Sequence, residues 1–434
     1  MLSYFKKSQV IPLIKYKSER QKVYKRLKWQ VFLSATIGYG LYYVCRLSLN
    51  VIKKPIVDSG ILTESELGII GSALFFSYAI GKFTNGFLAD HSNIRRFMGI
   101  GLLISALANL IMGFTNRFVF FAICWGVNGW VQSMGAPSSV VSLSRWFTNK
   151  ERGSFYGFWS TSHNIGEAIT YILTAVVASY FGWQWGFRAA ALVGILGSIL
   201  IFIFFHDSPE SKGVPSVNVE NDIKKVTTWQ EQKQALKNPY IWLLAISSAF
   251  MYISRYAVNS WGPYYFETAK GYSLTEANTL VAISAVCGIF GTASSGFISD
   301  RFFKGHRNMP ALLYGLMNVG GISLFLLGPK NVWWMDALSM VIFGLAIGAL
   351  ICYLGGLMAV DIASKKASGA ALGMVGIMSY AAAGIQDIAS GYLIEGNKLV
   401  LKDDITYDFS SITIFWIGSA ALSVLFALLA WKKT

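Results

Sequence analysis

About a dozen apolar runs, each long enough to cross a lipid bilayer, take up most of this 434-residue chain. They fall near 29–50, 67–89, 97–115, 118–141, 154–180, 186–205, 240–266, 277–299, 309–328, 333–360, 368–394 and 410–431. A spanning helix needs roughly 20 mostly apolar residues. With 54% hydrophobic and 14% charged residues, the chain has too little polar surface to keep so many apolar segments in water. In hydrocarbon each backbone polar group must be satisfied internally, so only helices and closed barrels span. Runs of this length select helices. The expected fold is an all-α integral membrane protein with twelve transmembrane helices.

Charge placement sets the orientation. The net charge is +15, and basic residues crowd the first 28 positions. They recur in alternate loops as Arg95/Arg96, Lys150/Arg152, Lys224/Lys225, Arg301/Lys304/Arg307 and Lys365/Lys366, and end with Lys432/Lys433. The other loops are poor in Lys and Arg apart from Lys53/Lys54. This is the positive-inside pattern, so both termini are expected in the cytoplasm. The basic surplus therefore reads as topology, and no nucleic-acid partner is expected. The first segment lacks the short apolar core of a cleavable signal peptide, so the first helix is expected to be retained. Cys45, Cys124, Cys287 and Cys352 fall in helices without metal-ligand spacing and read as packing residues. With no nucleotide loop, metal cluster or nucleophile–base pair, neither an enzyme nor a cofactor or metal site is expected.

An internal repeat organises the chain. Gly86-Phe-Leu-Ala-Asp90, followed by Arg95 and Arg96, matches Gly296-Phe-Ile-Ser-Asp300, followed by Arg301. Those motifs are offset by 210 residues, and Arg46 and Arg255 by 209. Tyr43 and Tyr252 each stand three residues before their arginine. The chain thus divides into a basic cytoplasmic segment (1–28), a six-helix bundle (29–205), a polar cytoplasmic linker (206–239) and a second six-helix bundle (240–431). Parallel repeats with a site at their interface near the midplane are one transporter design.

The two arginines are the sharpest functional signal. A charge in the hydrocarbon costs about 2.5–3.5 kcal/mol on insertion scales and usually marks a pathway. One from each half suggests a single anion held between them. Lys82 also sits inside an apolar run and would add positive charge, whereas a lone histidine such as His163, well inside the fifth run, reads by itself as a hydrogen-bonded packing residue. Tyr39, Tyr43, Tyr78, Tyr252, Tyr256, Tyr353 and Tyr380 are candidate hydroxyl donors, with Tyr43, Tyr252 and Tyr380 placed best. The intramembrane acids Glu167 and Asp387, the latter beside Gln386, are candidates for coupling or selectivity. The paired Gly-x-x-x-Asp loops read as gates, with Asp90 and Asp300 pairing with Arg145 or with Arg95 and Arg96.

Those paired loops resemble the signature of the major facilitator superfamily, and Asp207-Ser-Pro-Glu210 resembles a motif found after its sixth helix. Gly38-Tyr-Gly-Leu-Tyr-Tyr-Val-Cys-Arg46, Gly81-Lys82-Phe83, His163-Asn-Ile-Gly166, Asn238-Pro-Tyr-Ile-Trp242 and Tyr252-Ile-Ser-Arg255-Tyr256 narrow the likeness. They resemble the organophosphate:phosphate antiporters, in the hexose-phosphate transporter and sensor branch. The resemblance implies exchange of a sugar phosphate for inorganic phosphate by a monomer in a bacterial inner membrane. It implies that Arg46 and Arg255 grip the phosphoryl group, supported by Lys82 and His163. The alternatives are a sugar-phosphate sensor signalling to a partner protein, and a proton-coupled organic-anion carrier. Two departures stand out. Leu47 and Ser260 replace a lysine and an aspartate of the family, and Glu167 stands where the family has a small residue. Three readings stay open for Glu167: a pair with His163 or Lys82 that tunes selectivity, proton coupling, and a structural partner to an arginine or amide; Asp387 could instead face sugar hydroxyls.

Overall fold

The computed structural model describes residues 4–217, 233, 236–304, 306–362, 368–401 and 404–431. The middle of the expected linker and the basic pairs at 224–225, 365–366 and 432–433 lie outside the described residues. In chain order the long helices are α1 (Lys17–Val51), α2 (Glu64–His91), α3 (Ile94–Met112) and α4 (Phe118–Gln132, resuming as Gly135–Trp146). Then come α5 (Asn149–Phe181), α6 (Trp183–Phe204), α7 (Pro239–Lys270) and α8 (Leu274–Phe302). The last four are α9 (Asn308–Leu327), α10 (Trp333–Ile362), α11 (Ser368–Gly396) and α12 (Ser410–Leu429). Ten of these are long and apolar enough to cross a membrane. The other two are α1, whose early turns are rich in Lys and Arg, and α4, which is broken at Ser133–Met134. At that break Asn85 of α2 donates to the Trp130 carbonyl (3.0 Å) and the Ser133 hydroxyl (2.7 Å). Phe83, Phe87, Ile123, Leu196 and Ile414 point outward, as a lipid-facing periphery requires.

Helix starts follow local chemistry. Thr63 with Glu66 opens α2, and Ser273 with Glu276 opens α8, each through a reciprocal capping box. These equivalent starts mirror the repeat. The Gly86–Asp90 and Gly296–Asp300 motifs, expected as loops, form the last turns of α2 and α8. A further difference is a hairpin of β1 (Lys398–Leu401) and β2 (Asp404–Tyr407) between α11 and α12.

The two groups of six helices meet along α2 against α11, α5 against α8 and α1 against α7. They are sealed at the face away from the termini. A β-carbon on Gly68 of α2 would lie 2.5 Å from the Asp387 carbonyl oxygen, and one on Gly391 of α11 would lie 2.5 Å from that of Glu64. Only glycine allows such an approach. Towards the termini the same interfaces part, and β-carbons on Gly157 of α5 or Gly373 of α11 would meet nothing within 4 Å. The ion pairs Lys28–Glu151, Arg145–Asp207 and Arg307–Asp361 at that end do not join one group of six helices to the other.

An ordered strap ties the terminal face of the first half. Phe5 accepts from the Asn93 amide (2.7 Å), Ser8 donates its amide to Asp207 (2.8 Å), and Ile14 donates to Gly213 (3.0 Å). Arg145 reaches the Asp207 carboxylate and only the backbone carbonyl of Asp90. The expected Asp90 side-chain pairing with Arg145 is therefore replaced by Asp207. Arg95 donates to the Phe202 carbonyl and Arg96 to that of Tyr4. In the second half the matching pair is Arg307–Asp361, not Asp300, and Asp300 and Arg301 are exposed.

Candidate substrate-binding site

Arg46 and Arg255 come together between the halves, only 2% and 5% exposed. The backbone of α1 around Arg46 is pinned from inside its own bundle. The Asn109 and Asn128 side chains both donate to the Cys45 carbonyl, at 2.8 and 3.0 Å. Gln132 donates to the Tyr42 carbonyl (2.9 Å), and the Tyr42 hydroxyl to that of Met98 (2.6 Å). These carbonyls already serve the helix; the second bonds hold it at one rotation. On α7, Pro263 lacks an N–H and so leaves the Asn259 carbonyl without its usual helical donor. The Tyr171 hydroxyl of α5 fills that vacancy at 2.5 Å.

Aromatic rings enclose both guanidinium groups. Arg46 lies 4.2 Å from the Tyr78 ring centroid and 5.4 Å from that of Tyr43, and it donates to the Tyr256 hydroxyl at 3.2 Å. Arg255 lies over Tyr252 and Tyr256, at 5.7 and 5.4 Å. Tyr380 lies tilted against Tyr78 (4.5 Å between ring centroids) and edge-on to Tyr252 (5.4 Å), closing the cage from α11. Ring faces attract cations without supplying an anion. The Nε of each arginine has no hydrogen-bond partner among the described residues. Buried donors without acceptors are costly and are expected to bond to something that enters.

The two residues expected to support the arginines stand at the edge. Lys82 is exposed, with its ammonium 5.3 Å from the Tyr380 ring. His163 is half-buried, its ring 5.6 Å from Tyr43 and its Nδ1 against the Ser160 carbonyl. It follows a bend in α5 where Ser160, Thr161 and Ser162 each bond the carbonyl three residues back. Such back-bonding competes with the helix ladder and bends it. Tyr43, Tyr252 and Tyr380 therefore belong to the cage. Tyr78 and Tyr256, set aside in the sequence reading, belong to it as well, and Arg46 touches both. Tyr353 donates instead to the Ser295 carbonyl at 2.5 Å.

Of the readings open for Glu167, the structure shows a partner to an arginine and an amide, whereas Asp387 does not face the cage. Glu167 meets neither His163 nor Lys82. It accepts from the Asn259 amide and lies 3.9 Å from Arg255. Asp387 is withdrawn into the seal. Fully buried, it accepts from Lys53 (2.9 Å) and Ser260 (2.7 Å), with the Trp261 indole N–H also donating. Lys53 also donates to Ser260 at 2.8 Å and faces the Trp261 ring at 3.8 Å. A lysine–aspartate pair is thus present beside Ser260, drawn from positions other than 47 and 260. Lys53 gave no such signal in the sequence because, with Lys54, it follows the first apolar run and counts among the loop charges. Gln386 bonds Ser390 at 2.9 Å, away from the arginines.

The chain matches the family model described as Major Facilitator Superfamily over residues 35–386. It is 33% identical to the membrane sensor protein UhpC of Salmonella typhimurium, covering 89% of each chain. It is 31% identical to a probable hexose phosphate transport protein of Chlamydia pneumoniae, covering 95% of this chain and 93% of the relative. Among solved structures, a bacterial homologue of the human lysosomal transporter Spinster, inward-facing and occupied, superposes with a TM-score of 0.74. At 15% identity over 93% of this chain and 97% of that one, this likeness concerns the fold.

Proposed function

Because the chain belongs to the major facilitator superfamily, in its organophosphate:phosphate antiporter branch, we propose that it exchanges a sugar phosphate for inorganic phosphate by alternating access. The observation that carries this is the pair Arg46 and Arg255, one from each half, buried together with their Nε donors unpartnered among the described residues. A phosphate monoester is close to dianionic at neutral pH. Its oxygens match the planar guanidinium fork, which stays charged when buried. The arriving phosphoryl group bonds both arginines and so bridges the halves, while Lys82 adds positive potential at the entrance and His163 stands beside Tyr43. The sugar projects towards Tyr43, Tyr252 and Tyr380. Bridging favours closure at the open end, and the Lys53–Asp387 seal then yields at the other, as the halves 29–205 and 240–431 rock about the loaded site.

On this reading the termini face the cytoplasm of a bacterial inner membrane, and the described state is open inward. A single chain supplies both arginines, so the monomer is the working unit. The test is uptake of labelled glucose 6-phosphate into proteoliposomes at equal pH on both sides. Internal phosphate is expected to accelerate uptake several-fold, and indifference to it defeats the exchange reading. The similarity to a sensor protein favours a second reading, a sugar-phosphate receptor signalling through a membrane partner. Glucose 6-phosphate binding without exchange would select that one.

A further inference from the structure

The place of Glu167 asks for more than phosphate exchange. A carboxylate beside a phosphate-binding arginine opposes the ligand, yet this one is built in with care. It is 3% exposed, it accepts from Asn259, and its second oxygen lies 3.9 Å from Arg255. Asn259 is in turn fixed through its carbonyl by Tyr171. We propose that Glu167 is a resident counter-ion that alternates with the substrate phosphoryl group for Arg255, so that the carrier also takes up phosphate ester together with one proton. The proposal rests on the organophosphate reading above.

The groups facing Glu167 make this exchange possible. From α7 it meets Arg255 and Asn259, while Arg46 and Tyr43 of α1 lie within electrostatic reach. Its own helix contributes Tyr171 and the half-buried His163, whose ring is turned to Tyr43. The second-half helices α8 and α10 line its cavity with Ser284, Gly288 and Phe343, none of them ionisable. Arg255 is therefore the cation within ion-pair distance. In the empty carrier the carboxylate neutralises Arg255, and Arg46 rests on the Tyr78 face. When a phosphoryl oxygen takes the Arg255 fork, Glu167 loses its partner beside a new negative charge and accepts a proton from water on the open side. Release at the other face returns the carboxylate to Arg255 and frees that proton. One ester and one proton have then moved together, and the empty carrier can reorient with its site partly neutralised. A carrier with two unpaired arginines lacks that return path.

Purified protein in phosphate-free proteoliposomes, given labelled glucose 6-phosphate and an interior more alkaline by one pH unit, tests the idea. The wild type is expected to accumulate label, several-fold above a matched-pH control. Glu167→Gln keeps the shape but cannot ionise. Its gradient-driven uptake should fall at least tenfold, while its phosphate:phosphate exchange reaches half-maximum at several-fold lower phosphate because a competitor has gone. That retained exchange also shows that the variant is folded. A wild type that exchanges phosphate but ignores the gradient overturns this proposal and leaves antiport standing. So does gradient-driven uptake that survives in Glu167→Gln. A wild type that transports phosphate in neither assay overturns both readings.

Discussion

At the residue scale the two arginines invite the most direct test. Arg46→Lys and Arg255→Lys keep the charge but lose the planar fork, and a bond to a charged partner is worth about 1.5–3 kcal/mol. Each substitution should weaken glucose 6-phosphate binding roughly 10- to 100-fold in equilibrium binding on purified protein, with the melting temperature nearly unchanged. The Lys53–Asp387 pair makes a contrasting case, because both partners are fully buried. Asp387→Asn strands the ammonium, and breaking such a pair costs about 3–5 kcal/mol. That loss should appear as a large fall in thermal stability, largely recovered when Lys53→Met is added. Additive single effects in this double-mutant cycle would show that the two side chains act separately. The repeat offset made the arginines legible in the sequence. The Lys53–Asp387 pair was hidden, since its members are 334 residues apart and no local pattern links them.

At the element scale the hairpin between α11 and α12 is the part that periodicity did not announce. Its strands are four residues each, too short to carry a clear alternation. Its role lies in what it touches. Glu64, buried at the start of α2, accepts from Tyr407 of the hairpin (2.6 Å) and from Tyr264 of α7 (2.8 Å). Lys398 stands 3.5 Å from the same carboxylate. The hairpin of the second half is thereby clasped to the first. Tyr407→Phe removes one donor and leaves two, a loss of about 1.5–3 kcal/mol. Amide exchange across Lys398–Tyr407 should quicken at least tenfold while the core of α1 and α7 stays protected. Equal acceleration throughout the bundle would mean that the hairpin reports global opening. Helix existence was readable from apolar length, whereas the breaks in α4 and α5 were not. Those breaks depend on hydroxyl and amide side chains bonding backbone carbonyls, a choice settled by neighbouring helices.

At the scale of the whole molecule, sealing at one face and opening at the other are two ends of one rigid-body relation. The seal rests on glycine. A β-carbon on Gly71 would collide with the Asp387 carboxylate and push it from its place beside Lys53. The same close fit at Gly68 and Gly391 brings α2 and α11 into backbone contact. If transport requires these helices to part, holding them together must stop it. Ser65 donates its backbone amide to Glu395 at 2.9 Å, so the two positions are neighbours across the seal, and neither lines the arginine cage. Ser65→Cys with Glu395→Cys, in a background without the four native cysteines, can be bridged by a short, cleavable bifunctional thiol reagent. Bridging is expected to reduce phosphate exchange to near background, and cleavage to restore it. Phosphate should still bind the bridged protein from the open side, because the site is reached from the end that the bridge leaves free. Exchange that continues at full rate with the bridge in place would show that α2 and α11 need not separate there, and rocking about the loaded site would have to be abandoned as the mode of access.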